Sequence, residues 1–282
     1  MIRLLADSSC DLPPELCEKY DVTILPMSIS LDGSVYTDGV DITPEQLYKW
    51  SDENKRTPKT SAFSVESAKT VFTSLLADGS EVIAFSISEK MSSSIQIMRM
   101  AVHELRAQKR VHLIDSANLS TGIALLILEA ADRIAAGMNI EQITGEIETL
   151  KTKIRTSFVV DTLTYLHRGG RCSGAAALMG SALRLHPEIV LEHGQMQLAK
   201  KYRGGMNRVL KIYTLDKLSS LLNAGRRRVF ITHSGCSSDV IHLVYDQIRA
   251  LHHFEEILVT QAGSVISSHC GPNTLGILYL EE

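Results

Sequence analysis

Short apolar runs alternating with helical periodicity organise the first half of the chain. IRLLAD (2–7), VTILPMSIS (22–30), EVIAFSIS (81–88) and RVHLIDS (110–116) read as strands. Runs this continuously apolar suit strands covered on both faces of a parallel sheet. Helical patterns fall near 13–20, 43–53, 64–77, 94–107, 119–136 and 139–153. Start signals accompany several of them: Thr43 before Pro44, Ser64 two residues before Glu66, and Asn139 with Gln142 three residues on. Strand–helix alternation at this spacing predicts an open parallel α/β sheet over residues 1–155. Ligands of such sheets sit beyond the carboxyl ends of the strands, which places residues 7–9, 88–94 and 115–116 on one rim.

After residue 155 the pattern changes. Residues 157–166, 188–201 and 256–269 read as strands, the second split into a hairpin by His193-Gly194, and 175–185 and 239–251 read as helices. The expected fold class is therefore α/β, with a parallel-sheet domain over 1–155 and an α+β domain with a largely antiparallel sheet over 156–282. The helix predicted at 175–185 is rich in small residues, Ala177 and Gly180 among them, which suits either close helix packing or room for a long, thin ligand.

Composition narrows the function classes. Of 282 residues 44% are apolar and 22% charged, as in ordinary soluble globular proteins. A net charge of −3 and 5% aromatics argue against nucleic-acid binding; the one dense basic run, Arg226, Arg227 and Arg228, reads as a solvated turn. The longest apolar stretch, IALLIL (123–128), is far too short to span a membrane and belongs inside an amphipathic helix. The amino terminus has no signal-peptide pattern, and five scattered cysteines without CxxC spacing point to a reducing cytoplasm.

The candidate chemistry is anion binding. Ser92, Ser93 and Ser94 stand where a strand gives way to a helix. One serine there is an ordinary cap, whereas three suggest an anion held by hydroxyls, free N–H groups and the helix dipole. PKTSAFS (58–64) puts Thr60 and Ser61 before another helix, and DSSCDLPPE (7–15) ends the first strand, with Asp11 as a cap for the next helix. HRGGRCSG (167–174) sets paired glycines beside Arg168 and Arg171, and KKYRGG (200–205) repeats the theme with Arg203. Glycines permit a sharp turn or a close approach, and arginines suit an anion or an acidic partner. SSHCGPNTLG (267–276) places His269 at a strand end. No P-loop, GxGxxG, nucleophile elbow, HExxH or metal-ligand spacing is present.

These motifs together resemble the DegV family of bacterial fatty-acid-binding proteins. The resemblance runs through DSSCDLP, YTDGVDIT (36–43), the TS at 60–61, S-x-x-x-S (88–92), IDSANLSTG (114–122), LTYLHRGGR (163–171), KYRG (201–204) and SSHCGP (267–272). It implies a two-domain lipid carrier without catalytic activity or cofactor, whose ligand is one long-chain fatty acid. It places the carboxylate ligands on Thr60, Ser92 and His269, beside Ser61 and Ser93, near the domain junction. It further implies presentation of that carboxyl to a separate ATP-dependent fatty-acid kinase subunit for phospholipid synthesis, with Arg171 and Arg203 as kinase contacts. The small-residue helix, through Ala177 and Gly180, is expected to border the acyl tunnel. Contact with membranes is at most transient. Two motifs depart from the family's common pattern: TSAFS replaces TSQPS at Ala62 and Phe63, and MSSSIQ replaces LSGTYQ at Met91, Ser93, Ser94 and Ile95. The rival readings are a hydrolase or phosphotransferase using Ser92 and His269, and a lipid sensor without a kinase.

Overall fold

A computed structural model describes residues 1–172 and 185–282. The first part runs β1 (Ile2–Asp7), α1 (Pro14–Lys19), β2 (Val22–Leu25), β3 (Ser28–Leu31), β4 (Ser34–Thr37), α2 (Pro44–Asn54), β5 (Lys59–Ser61), α3 (Val65–Leu76), β6 (Glu81–Ser86), α4 (Ser94–Glu104), β7 (Val111–Asp115), α5 (Thr121–Ala135) and α6 (Ile140–Leu150). The second runs β8 (Ile154–Val159), α7 (Thr164–Gly169), β9 (Leu185–Glu192), β10 (Gln195–Arg203), α8 (Met206–Leu221), β11 (Ala224–Ser234), α9 (Ser238–Arg249), β12 (Glu256–Gln261), α10 (Ser264–Cys270) and β13 (Thr274–Glu281).

The fold class is the expected one. Among the described residues a parallel sheet has the order β2-β1-β6-β7. A second sheet, β10-β9-β8-β13-β11-β12, is antiparallel except where β11 pairs with β12. A small antiparallel sheet, β4-β3-β5, sits beside them. Start signals act as read: Thr43 with Gln46 and Asn139 with Gln142 form reciprocal capping boxes, and the Ser64 hydroxyl accepts the Ser67 N–H.

Several expectations are corrected. The run 22–30 is two strands, because Pro26 has no N–H for the ladder; β2 stays in the parallel sheet and β3 leaves it. The stretch 157–166 is a strand only to Val159, after which the Thr162 hydroxyl accepts the Thr164 N–H and α7 begins. The stretch 256–269 ends as a strand at Gln261, so His269 lies in the last turn of α10. The sequence reading assigned no element to α8 or β13. IALLIL has no solvent face: Thr121 through Leu128 are all buried, because α5 packs on strands of both large sheets. Asp11 does not cap α1, which begins behind Pro13 without a side-chain cap.

The basic run is not a solvated turn either. It lies in β11, and Arg228 is only 4% exposed. Its guanidinium meets Asp132 of α5 at 2.6 Å, Glu256 of β12 at 2.7 Å and Glu129 of α5 at 3.6 Å. This cation ties the carboxyl-terminal half of α5 to the antiparallel sheet. Arg228→Ala removes a buried cation and its packing while Asp132 keeps Arg227 and Glu129 keeps Arg133, and is expected to cost about 1.5–3 kcal/mol, whereas Arg228→Met, which keeps the packing, costs less. Urea unfolding of both variants checks this, and equal losses would contradict it.

Candidate functional site

A cavity of about 290 Å³ lies beyond the carboxyl ends of β1 and β6, between α10 and the antiparallel sheet. Met27, Ile87, Met91, Phe158, Met196 and Leu278 supply much of its apolar lining, and all six are buried. The structure brings Thr60, Ser61, Ser92, Ser93, His269 and Arg171 together on the same cavity. Ser61, Ser93 and Arg171 are the exposed residues among its described lining and mark its mouth. Arg203 ends β10, is exposed, and does not line the cavity. Ala177 and Gly180 lie outside the described residues.

Each polar group has a definite origin. Thr60 comes from β5, held in register by pairing with Ile29 of β3. Its hydroxyl contacts His269 Nε2 at 2.8 Å. The serine turn is folded by the Met91 and Ser92 N–H groups donating to the Ser88 carbonyl. Ser92 Oγ lies 2.8 Å from Ser94 Oγ and accepts the Ser94 N–H at 3.3 Å. Ser93, at the N-cap of α4, makes no side-chain cap. Capping therefore does not explain Ser93, which stands open where the helix dipole favours negative charge. Ser88, four residues before Ser92, faces elsewhere: its hydroxyl donates to the Gly194 carbonyl at the β9–β10 turn.

The paired glycines divide two tasks. Gly170 takes the left-handed conformation, φ 67°, that ends α7. Gly169 permits close approach, since a Cβ there would lie 2.4 Å from His269 Nδ1. That Nδ1 is buried without a hydrogen-bond partner among the described residues. Burial, and secondarily the Arg171 charge, lower the His269 pKa from 6.5 to about 4, so the ring is neutral at neutral pH. Arg171 Nη1 donates to the Gly169 carbonyl at 2.6 Å, leaving the rest of its guanidinium at the mouth.

Deeper hydroxyls are occupied by the protein. Ser120 donates to Asp11, Thr156 to Asn118, Ser234 to the Gly271 carbonyl and Thr274 to the Cys270 carbonyl, while Thr232 pairs with Thr121. His233 is the exception, with an unpartnered buried Nδ1 on a ring that burial keeps toward its neutral form. Asp11, Asp38 and Gly169 were missed as site-building residues by sequence reasoning, although DSSCDLP, YTDGVDIT and HRGGRCSG contain them.

The family profile described as "Uncharacterised protein, DegV family" matches residues 1–282. A DegV domain-containing protein of Caldanaerobacter subterraneus subsp. tengcongensis is 30% identical over 100% of this chain and 99% of its own. A DegV family protein from Thermus thermophilus, solved for its fatty-acid binding, is 30% identical with a TM-score of 0.91, covering 100% of this chain and 99% of that one. A stearic-acid-binding protein from Eubacterium ventriosum is 29% identical with a TM-score of 0.85, covering 100% and 98%.

The His269 shift has a sign that can be tested. Its folded pKa lies below the ordinary value, so the associated stability is fully present above about 6.5 and is lost as pH falls through about 4. Asp11 acts oppositely: burial raises its pKa from 3.8 to about 8, so its contribution is present below 3.8 and lost as pH rises through about 8. Comparing wild type with His269→Asn cancels the Asp11 part. The stability difference between the two should move against the wild type by at most about 3 kcal/mol between neutral pH and pH about 4. Parallel stability–pH curves would contradict the assignment.

Proposed function

Because the chain belongs to the DegV family, we propose that its cavity holds one long-chain fatty acid, with the carboxylate at the polar mouth and the tail inside. The carrying observation is the distribution of hydrogen-bonding capacity: the deep wall hydroxyls have protein partners, while Ser61 and Ser93 have none among the described residues. In the Nε2–H tautomer, His269 donates to Thr60 and leaves the Thr60 hydroxyl proton for an anion. Ser92, steadied by Ser94, is a further donor, and Arg171 supplies the positive field. Charge-assisted bonds of this kind orient the head group. A tail of about sixteen carbons contributes roughly 12 kcal/mol gross at ~0.8 kcal/mol per methylene, before association costs. The tail sets affinity, and the mouth sets direction.

The protein acts in this reading as a cytoplasmic carrier that presents the carboxyl to a separate ATP-dependent fatty-acid kinase subunit for phospholipid synthesis. Exposure of the head-group end supports presentation, and the exposed guanidiniums of Arg171 and Arg203 are suited to an acidic or phosphate-bearing partner. Arg171 lines the cavity as well, so it stands between ligand and partner. A hydrolase using Ser92 and His269 is disfavoured: the imidazole Nδ1 has no carboxylate behind it among the described residues.

Native mass spectrometry of the purified protein should show a co-purifying fatty acid. Ser92→Ala with His269→Ala should weaken binding of the free acid by roughly ten- to a hundredfold while sparing its methyl ester, which the wild type binds less well. Equal binding of acid and ester by the wild type would sink the head-group assignment. Arg171→Ala with Arg203→Ala should keep its lipid yet support little acyl-phosphate formation in a kinase-coupled assay. Full phosphorylation by that variant would remove the arginines from the partner site, and loss of lipid would make Arg171 a ligand contact.

A further inference from the structure

Helix α10, which carries His269, has only seven residues and cannot hold its own position. Its amino end is gripped by two aspartates from distant parts of the chain. The Gly263 N–H donates to Asp11 at 2.8 Å and the Ser264 N–H donates to Asp38 at 2.9 Å. Both carboxylates are buried, 6% and 4% exposed, and neither has a Lys, Arg or His partner among the described residues. Further neutral donors complete their shells: Ser120 bonds Asp11 and Ser8 bonds Asp38 at 2.8 Å. Gly263 lets both approach closely, since a Cβ there would stand 3.3 Å from an Asp11 oxygen and 3.5 Å from both Asp38 oxygens.

Asp38 also connects this grip to Thr60. Its backbone N–H donates to the Met27 carbonyl at 2.9 Å, and Met27 leads directly into β3. β3 pairs with β5 and sets Thr60 opposite Ile29. One residue therefore bonds through its main chain to the strand unit bearing Thr60 and through its side chain to the helix bearing His269.

We propose that Asp11 and Asp38 are positioning residues of the head-group site, fixing α10 so that His269 Nε2 meets Thr60. The proposal rests on the fatty-acid reading only for its binding consequence. The carboxyl groups touch no ligand; they act through the helix, whose first N–H groups their oxygens accept.

Asp38→Ala and Asp11→Ala are compared with wild type by two measurements. NMR titration of the His269 ring should show its pKa, about 4 in the wild type, moving up toward 6.5 in each variant as the ring leaves its buried place. Burial holds both carboxyl groups toward their neutral form where His269 titrates, so their removal takes away little charge and an upward shift reports displacement of the ring. Binding of a long-chain fatty acid and its methyl ester should show the acid preference collapsing to within about threefold, with ester affinity kept within about threefold. A merely structural role would weaken acid and ester alike. A folded Asp38→Ala protein with a wild-type histidine titration and a wild-type acid-to-ester ratio overturns the proposal. If the alanine variants do not fold, Asp11→Asn and Asp38→Asn keep an acceptor oxygen for each N–H and should retain the wild-type histidine titration and acid-to-ester ratio; a folded asparagine variant that loses both overturns the proposal. If the wild type binds acid and ester alike, the fatty-acid reading fails, and the histidine titration alone decides whether the aspartates position His269.

Discussion

The molecule is organised around a helix that has no water-facing side along its first two turns. Residues 121–128 of α5 are buried because one sheet lies on either side of them. An element in that position replaces two separate cores with one continuous apolar cluster, in which Phe85 of the parallel sheet and Leu278 of the antiparallel sheet belong together. Polar bonds at its ends fix its place along the axis. Thr121 pairs with Thr232 and Ser120 with Asp11 at the amino end, while Asp132 pairs with Arg228 farther on. The cavity is what remains where α5 stops: Leu119 and Ser120, just before its first turn, form part of the wall. A ligand space is therefore a consequence of how the sheets are held apart.

That wall holds many hydroxyls for a site read as apolar. The resolution lies in where the hydroxyls bond. A buried donor without a partner costs about 1–3 kcal/mol, whereas one bonded to the protein asks nothing of a ligand. Thr156 on Asn118 and Thr274 on the Cys270 carbonyl are polar in composition and inert toward a hydrocarbon chain. Lining composition alone would misjudge such a cavity; the hydrogen-bond partners decide its chemistry.

What could be read from sequence follows from how far each signal reaches. Parallel strands gave continuous apolar runs and the helices between them carried local caps, so the first sheet was legible nearly strand by strand. Departures came where the chain broke a pattern: Pro26 split a run, and the predicted strand 256–269 ended at Gln261, with α10 beginning behind Gly263. Arg228 was read as solvated because nothing local announces a buried arginine; its partners lie on α5 and β12. Motifs put forward Thr60, Ser92 and His269, which line one cavity. The bonds that place them were not legible, because no periodicity links Asp38 to Ser264 or Gly169 to His269.

The serine run shows how three like residues come to differ. Ser94 is fully buried in the first turn of α4, and its hydroxyl can only serve the protein. Ser92 is half-buried and receives both the Ser94 hydroxyl contact and the Ser94 N–H, so its orientation is set while one side remains toward the cavity. Ser93 is exposed, and its hydroxyl makes no hydrogen bond among the described residues. Helix geometry produces this gradation, since the chain turns from an extended rim into α4 across these residues and each side chain takes a different heading. A glycine at 93 would allow the same turn without a hydroxyl donor. Serine there adds an exposed hydroxyl at the cavity's mouth, where the common family pattern has glycine.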